Sequence, residues 1–125
     1  MTSFSIKARL KSLSHAIDGI AALVSSQHNA RIHVAATIAV VALGLVLGLA
    51  AWEWCSVILA VSIVWTSEAL NTGFEFVCDV VSPEINPKIK IAKDIAAAGV
   101  LLASCGAAIV GAIVFLPHIL AILGI

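Results

Sequence analysis

Three carboxylates and one amide recur at helical spacing near the end of a long apolar segment. They are Glu68, Asn71, Glu75 and Asp79, which stand at positions i, i+3, i+7 and i+11. At about 100° per residue, all four fall within roughly 80° of one helix face. Charged groups are costly in lipid-facing segments, so this polar stripe, as we name the four residues, predicts a functional site.

The depth of the polar stripe in the membrane suggests that its members have different tasks. If Trp54 marks the outer interface, ~20 residues at ~1.5 Å each cross the ~30 Å hydrocarbon layer, and the inner boundary falls near Gly73. Glu68 would then lie about 7–9 Å inside the apolar layer, at the same rise per residue. Glu75 would lie at the boundary, and Asp79 would lie among the lipid headgroups.

This gradient suits the transfer of a phosphoryl group to a lipid hydroxyl. A carboxylate in the apolar layer could accept the hydroxyl proton. Carboxylates at the wet boundary could hold Mg²⁺, which prefers oxygen ligands. The lysines that follow in the sequence, Lys88, Lys90 and Lys93, could balance phosphate charge.

Composition identifies the kind of protein that carries this stripe. Of its 125 residues, 62% are hydrophobic and 11% are charged, and its mean hydropathy is +1.14. A soluble domain is typically about 45–50% apolar and about 25% charged, so we expect an integral membrane protein. The basic residues precede the first apolar run or lie between the second and third. The positive-inside rule therefore predicts a multi-pass protein of the bacterial inner membrane with a cytoplasmic N-terminus.

The elements that must position the stripe follow from hydrophobic periodicity. We expect an all-α membrane protein with three transmembrane helices and an N-terminal amphipathic surface helix, in one domain over residues 1–125. A protein this small is expected to form an oligomer if the stripe does chemistry. The surface helix should cover about 4–30, and the three spans should cover about 34–51, 54–81 and 94–122.

Three further residues carry expectations about the outer side of the bundle. Pro117 should kink or end the last span, because proline cannot donate the helical hydrogen bond. We expect Glu53 to be exposed in the turn between the first two spans. His118 should lie at the membrane interface rather than in a catalytic site.

Reasoning from the residues leaves two other classes of function open. A small proton-coupled transporter would also use an intramembrane glutamate such as Glu68, although transporters usually place that carboxylate near the midplane. A non-catalytic assembly subunit is the other alternative. The sequence contains neither GxxxxGK[ST] nor a GxGxxG motif after a strand, so no standard nucleotide-binding motif decides between these alternatives and an ATP enzyme.

A family resemblance narrows the choice. The polar stripe, followed by Ser82-Pro83-Glu84 and by the segment 91–97 with its Lys93-Asp94 pair, resembles the prokaryotic diacylglycerol kinase family, which includes small undecaprenol kinases. The resemblance covers nearly the whole protein. It implies a homotrimer with composite active sites at the cytoplasmic boundary, ATP as the phosphoryl donor, Mg²⁺ as the cofactor, and the hydroxyl of diacylglycerol or undecaprenol as the acceptor.

The resemblance also implies roles for individual residues. Glu68 matches the catalytic base, and Glu75 matches a metal ligand. The second metal ligand falls at Gln27, where the family has glutamate, and an aromatic residue near the nucleotide is replaced here by His15. The implied nucleotide-binding residues are Asn71, Glu75, Asp79, Glu84, Ile85, Asn86, Lys93, Asp94 and His15. The implied lipid-binding residues are Asn29, Ala30, Arg31, Ile32, His33 and Glu68.

Overall fold

The part of the protein that the structure describes contains four helices. The computed structural model describes residues 5–82, 84 and 86–125; Ile85, which we predict to contact the nucleotide, lies outside them. The helices are α1 (Ile6–Ser26), α2 (His28–Leu47), α3 (Ala51–Val81) and α4 (Pro87–Leu123). The last three are long and apolar enough to cross a membrane, which confirms the predicted all-α fold with three spans.

Three helices begin or end at residues other than those expected. The surface helix ends at Ser26 instead of residue 30, because Gln27 adopts an extended conformation with φ −108° and ψ 127°. α2 therefore begins at His28 instead of residue 34. α4 begins at Pro87 instead of residue 94, because Asn86 accepts a capping hydrogen bond and proline is favourable in the first helical turn.

The other ends of the last two spans lie close to the expected residues. α3 begins at Ala51, three residues before its predicted start, and ends at Val81, as predicted. α4 continues past Pro117 to Leu123, and Gly124 after it turns left-handed with φ 71°. Of the two outcomes expected at Pro117, the helix end is therefore wrong, and the kink stays a prediction.

The apolar face of α1 is left uncovered by the rest of the protein. Leu23 is the buried residue of this helix. Five other apolar side chains are between 58% and 69% exposed: Ile6, Leu10, Leu13, Ile17 and Ile20. Such a stripe on a helix beside membrane spans suits a position in the plane of the bilayer surface.

The hairpin of α2 and α3 fixes how these two helices face each other. Gly48 closes it with a left-handed conformation, φ 68°, which glycine adopts without steric cost. Gly44 packs under the indole of Trp54, where an added Cβ would come within 2.8 Å of a ring carbon. This close approach sets α2 beside α3 along the length that leads to Glu68.

A partly buried contact between Glu53 and His118 joins α3 to α4 at the end of the bundle that carries the hairpin, which we name the Glu53 end. Glu53 is only 8% exposed. Its Oε2 accepts a hydrogen bond from the Ala50 N–H at 2.7 Å, and its Oε1 lies 2.9 Å from His118 Nε2. The expectation that Glu53 is exposed is therefore wrong, because α3 begins early enough to place it in the first turn, facing α4.

Candidate active site

The polar stripe occupies one side of α3, as its spacing requires. Glu68 is 1% exposed, Asn71 and Glu75 are half-buried, and Asp79 is exposed. The Asn71 side-chain N–H donates to Glu75 Oε1 at 3.4 Å. The stripe thus runs from a buried carboxylate to an exposed one; the depth of these residues in the membrane stays a prediction.

The surroundings of Glu68 leave one of its oxygens without a hydrogen bond. Its Oε2 is buried and has no hydrogen-bond partner among the residues that the structure describes. His33 Nε2 on α2 lies 4.0 Å away, which is too long for a hydrogen bond. A buried polar atom without a partner costs about 1–3 kcal/mol. This oxygen is therefore well placed to accept a hydrogen bond from a hydroxyl that enters the site.

A cavity of about 230 Å³ gives such a hydroxyl access to Glu68. We name it the active-site cavity, and α2, α3 and α4 each contribute to its wall. The residues that line it are Asn29, Ile32, His33, Glu68, Asn71, Ala97, Val100, Leu101 and Ser104. The first five are residues that the resemblance assigns to the lipid or nucleotide site. The four from α4 were missed, although their spacing of three and four residues marks one face of a helix.

The end of the bundle opposite Glu53, which we name the Lys93 end, brings a cation to the stripe. Lys93 Nζ on α4 donates to Asp79 Oδ1 on α3 at 2.9 Å. Glu75 is also near enough for its charge to act on Lys93. Lys90 donates to Asp94 at 2.6 Å within α4. The lysine that we predict to contact phosphate is therefore held beside the acidic residues.

The loop before α4 places two further predicted nucleotide contacts near this end. Asn86 Oδ1 accepts from the Lys88 N–H at 3.0 Å and so caps α4. The Ser82 hydroxyl donates to the Glu84 carbonyl at 3.2 Å. Both hydrogen bonds shape the loop, and neither of them involves the Glu84 carboxylate.

Several predicted site residues have structural contacts away from the cavity. Arg31 donates to the carbonyls of Val24 at 3.2 Å and Ser25 at 2.7 Å, which caps the last turn of α1. Ala30 is completely buried at the corner between α1 and α2. His15 is exposed on α1 and lies 4.0 Å from Asp18.

Asn71 and Glu75 of the polar stripe carry oxygen atoms suited to a hard cation. Asn71 Oδ1 is buried without a hydrogen-bond partner among the described residues, and its amide N–H is bonded to the Glu75 carboxylate. Mg²⁺ typically takes one or two carboxylates and completes its shell with phosphate oxygens and water. Among the described residues no three His, Cys, Asp or Glu side chains form a metal-binding group. Glu75 and Asn71 could therefore supply two oxygen ligands to a metal ion that arrives bound to phosphate.

Sequence reasoning also overlooked two uncharged groups near Glu68. Thr72 is 3% exposed, and its hydroxyl has no partner among the described residues. Its position, four residues after Glu68, puts it on the same helix face. Trp65, one turn before Glu68, donates through Nε1 to the Thr37 hydroxyl at 3.1 Å. Neither residue carries a charge, so neither belonged to the pattern that revealed the stripe.

Comparison with known proteins agrees with this arrangement. Residues 14–115 match the family described as prokaryotic diacylglycerol kinase. An undecaprenol kinase of Bacillus subtilis (strain 168) is 33% identical over 109 residues, which cover 87% of this chain and 89% of that protein. A diacylglycerol kinase of Synechocystis sp. (strain ATCC 27184 / PCC 6803 / Kazusa) is 36% identical over 115 residues, covering 91% of this chain and 66% of that protein. This chain therefore belongs to the prokaryotic diacylglycerol kinase family.

Proposed function

We propose that this protein transfers the γ-phosphoryl group of ATP to the hydroxyl of a membrane lipid, either diacylglycerol or undecaprenol. Family membership makes it a lipid kinase, and the choice of donor and acceptor is our proposal. The observation that carries it is the buried Glu68 Oε2, which has no hydrogen-bond partner among the described residues and belongs to a carboxylate that lines a cavity shared by three helices.

Glu68 acts as the general base in this proposal. The lipid hydroxyl enters the active-site cavity and donates its hydrogen bond to Glu68. As the hydroxyl oxygen forms a bond to the γ-phosphorus, the bond from that phosphorus to the β,γ-bridging oxygen breaks. The proton passes to Glu68, and ADP leaves. Positioning and charge stabilisation supply most of the catalysis in such transfers, so the neighbours of Glu68 matter as much as the base.

The less buried residues of the polar stripe, together with Lys93, hold ATP, the phosphoryl donor. Glu75 and the Asn71 carbonyl oxygen provide the oxygen ligands for Mg²⁺, which when bound neutralises charge on the phosphates. Lys93 gives up part of its hydrogen bonding to Asp79 and contacts phosphate. The loop residues Glu84, Ile85 and Asn86 contact the rest of the nucleotide together with Asp94 and His15. Asn29, Ala30, Arg31, Ile32 and His33 form the side that faces the lipid.

The full site is composite in a homotrimer. One chain supplies Glu75 but no metal-binding group of three acidic, histidine or cysteine side chains among its described residues. Gln27 of a neighbouring copy would add a carbonyl oxygen to the metal, with less affinity than the glutamate it replaces. We place these sites at the cytoplasmic face of the inner membrane, with the N-terminus in the cytoplasm.

A phosphate-transfer assay tests the proposal directly. The purified protein in mixed micelles is given ATP labelled at the γ-phosphate, with diacylglycerol and undecaprenol offered side by side. We expect label in at least one lipid, and we expect chelation of Mg²⁺ to abolish the transfer. The absence of Mg²⁺-dependent transfer to either lipid would contradict the proposed function. Crosslinking in the same micelles should give a trimer.

A further inference from the structure

A second and larger cavity adjoins the active-site cavity. It has a volume of about 290 Å³ and lies between the same three helices. Small or branched apolar side chains from each helix form most of its wall, and we name it the tail groove. Representative residues are Ala36 and Val40 from α2, Ala60 and Val64 from α3, and Ala107 and Gly111 from α4.

The tail groove leads away from Glu68 into the apolar part of the bundle. His33 and Ser104 line both cavities, and His33 lies 4.0 Å from the Glu68 carboxylate. On α3 the groove extends from Trp65 back to Val57, about 12 Å at the usual helical rise. A molecule whose hydroxyl reaches Glu68 would therefore find an apolar path for the hydrocarbon attached to it.

The volume of the tail groove suits one hydrocarbon tail. A cavity of about 150 Å³ accepts a benzene molecule, which has six carbons. At that density, about 290 Å³ holds about a dozen carbons. This is about the volume of the near part of one lipid tail.

Trp65 lines the tail groove beside His33, which lines both cavities, and it is hydrogen-bonded to α2. Its Nε1 donates to the Thr37 hydroxyl at 3.1 Å, and that hydroxyl donates to the His33 carbonyl at 2.7 Å. The Trp65 and His33 rings meet edge to face, with centroids 6.3 Å apart and an interplanar angle of 66°. A bulky ring held by a hydrogen bond therefore lies in the groove wall next to a residue that both cavities share.

We propose that the tail groove binds the one hydrocarbon tail of a polyprenol-type acceptor, and that Trp65, held by Thr37, is a specificity-determining residue that excludes two-tailed lipids. This inference rests on the proposed function and names the substrate class of the same site. The continuity of the groove with the Glu68 cavity, the match in volume, and the hydrogen-bonded indole beside His33 support it.

Filling the groove tests the binding of the tail. The assay measures kcat/KM for undecaprenol and for a five-carbon prenol that needs little of the groove. Ala36→Leu adds bulk to the groove wall, and we expect the undecaprenol-to-prenol ratio to fall at least about tenfold, because one methylene in an enzyme pocket is worth about 10–200-fold. Ala35→Leu is the matched control, since Ala35 is exposed on another face of α2 and lies outside the lining; it should keep the wild-type ratio.

Freeing Trp65 tests selectivity between the two lipid classes. Thr37→Val keeps the side-chain volume but removes the oxygen that holds the indole, and Trp65→Ala widens the groove. We expect both substitutions to raise the diacylglycerol-to-undecaprenol ratio of kcat/KM, with the larger rise, about tenfold, for Trp65→Ala. A ratio that stays unchanged in both variants would overturn the role of Trp65.

Two other outcomes would overturn the inference in distinguishable ways. If Ala36→Leu changes the oligomeric mass in detergent but leaves the acceptor ratio unchanged, the groove is occupied by a second copy of this protein and not by lipid. If the wild-type protein phosphorylates none of the three acceptors, the proposed function fails and this inference fails with it. Equal kcat/KM of the wild type for diacylglycerol and undecaprenol would refute the selectivity alone.

Discussion

The two buried carboxylates of α3 should respond to the same substitutions in opposite ways. Glu68 and Glu53 lie on one helix, about 22 Å apart at the usual rise, and both are less than a tenth exposed. Both oxygens of Glu53 have hydrogen-bond partners. Glu68 Oε2 has none among the described residues. Glu53 is thus positioned for stability, and Glu68 for the chemistry that we propose.

Replacing each carboxylate with leucine gives the stability prediction. Glu68→Leu should raise the free energy of unfolding by about 1–3 kcal/mol, because it removes a buried oxygen that lacks a partner. Glu53→Leu should lower it by about 1–3 kcal/mol, because it leaves His118 and the Ala50 N–H without their acceptor. The measurement is reversible unfolding in mixed micelles with increasing SDS, with both variants and the wild type compared at one lipid composition.

Activity provides the second half of this prediction. Glu68→Gln keeps the shape of the side chain but cannot accept the proton, and general bases contribute about 10²–10⁴-fold to the rate. We therefore expect kcat below about 1% of wild type, with the oligomer intact. Glu53→Gln is the matched control and should keep most of the activity. The reasoning is refuted if Glu68→Gln retains more than a tenth of wild-type kcat, or if Glu68→Leu unfolds more easily than the wild type.

Three further substitutions test other parts of the site. Gln27→Glu should lower the Mg²⁺ concentration needed for half-maximal activity several-fold, because it adds a charged oxygen ligand near Glu75. If the Mg²⁺ dependence of activity stays unchanged, Gln27 is not a metal ligand. Asp79→Asn should leave the free energy of unfolding nearly unchanged, because the ion pair of Asp79 with Lys93 is solvated, yet it should change the KM for ATP. Equal KM values for the variant and the wild type would show that this pair does not contact the nucleotide. Arg31→Met should speed amide hydrogen exchange at the end of α1, because the Arg31 guanidinium donates to carbonyls of that helix. Its effect on the KM for lipid should be small. A large change in the KM for lipid with unchanged hydrogen exchange would favour the lipid-binding role instead.

The parts of the site that lie on one helix could be predicted from the sequence. Glu68, Asn71 and Glu75 share a face because helical spacing is regular, and no tertiary information is needed to place them together. The position of Trp54 and the thickness of a bilayer predicted a different quantity, the depth of these residues in the membrane, which stays a prediction. His33 and Asn29 at the cavity came from family resemblance, because no rule of spacing connects α2 with α3.

The parts that depend on contacts between helices could not be predicted in this way. Glu53 is a charged residue beside a predicted turn, and only the packing of α4 against α3 shows that His118 is its partner. The tail groove is made mostly by alanines and valines that are unremarkable along the chain and form a cavity only when three helices meet. Helix starts at Ala51 and Pro87 depend on capping, which hydropathy does not report.

The pair of Glu53 and His118 has a mechanical consequence for the opposite end of the molecule. It fastens α4 to α3 at a point about 37 Å, along α4, from Lys93 at the usual helical rise. With that point held, a swing of only about 3° would carry the Lys93 ammonium about 2 Å over that length, enough to separate it from Asp79. A small change in the inclination of α4, made far from Lys93, would therefore be enough to make or break the hydrogen bond between Lys93 and Asp79.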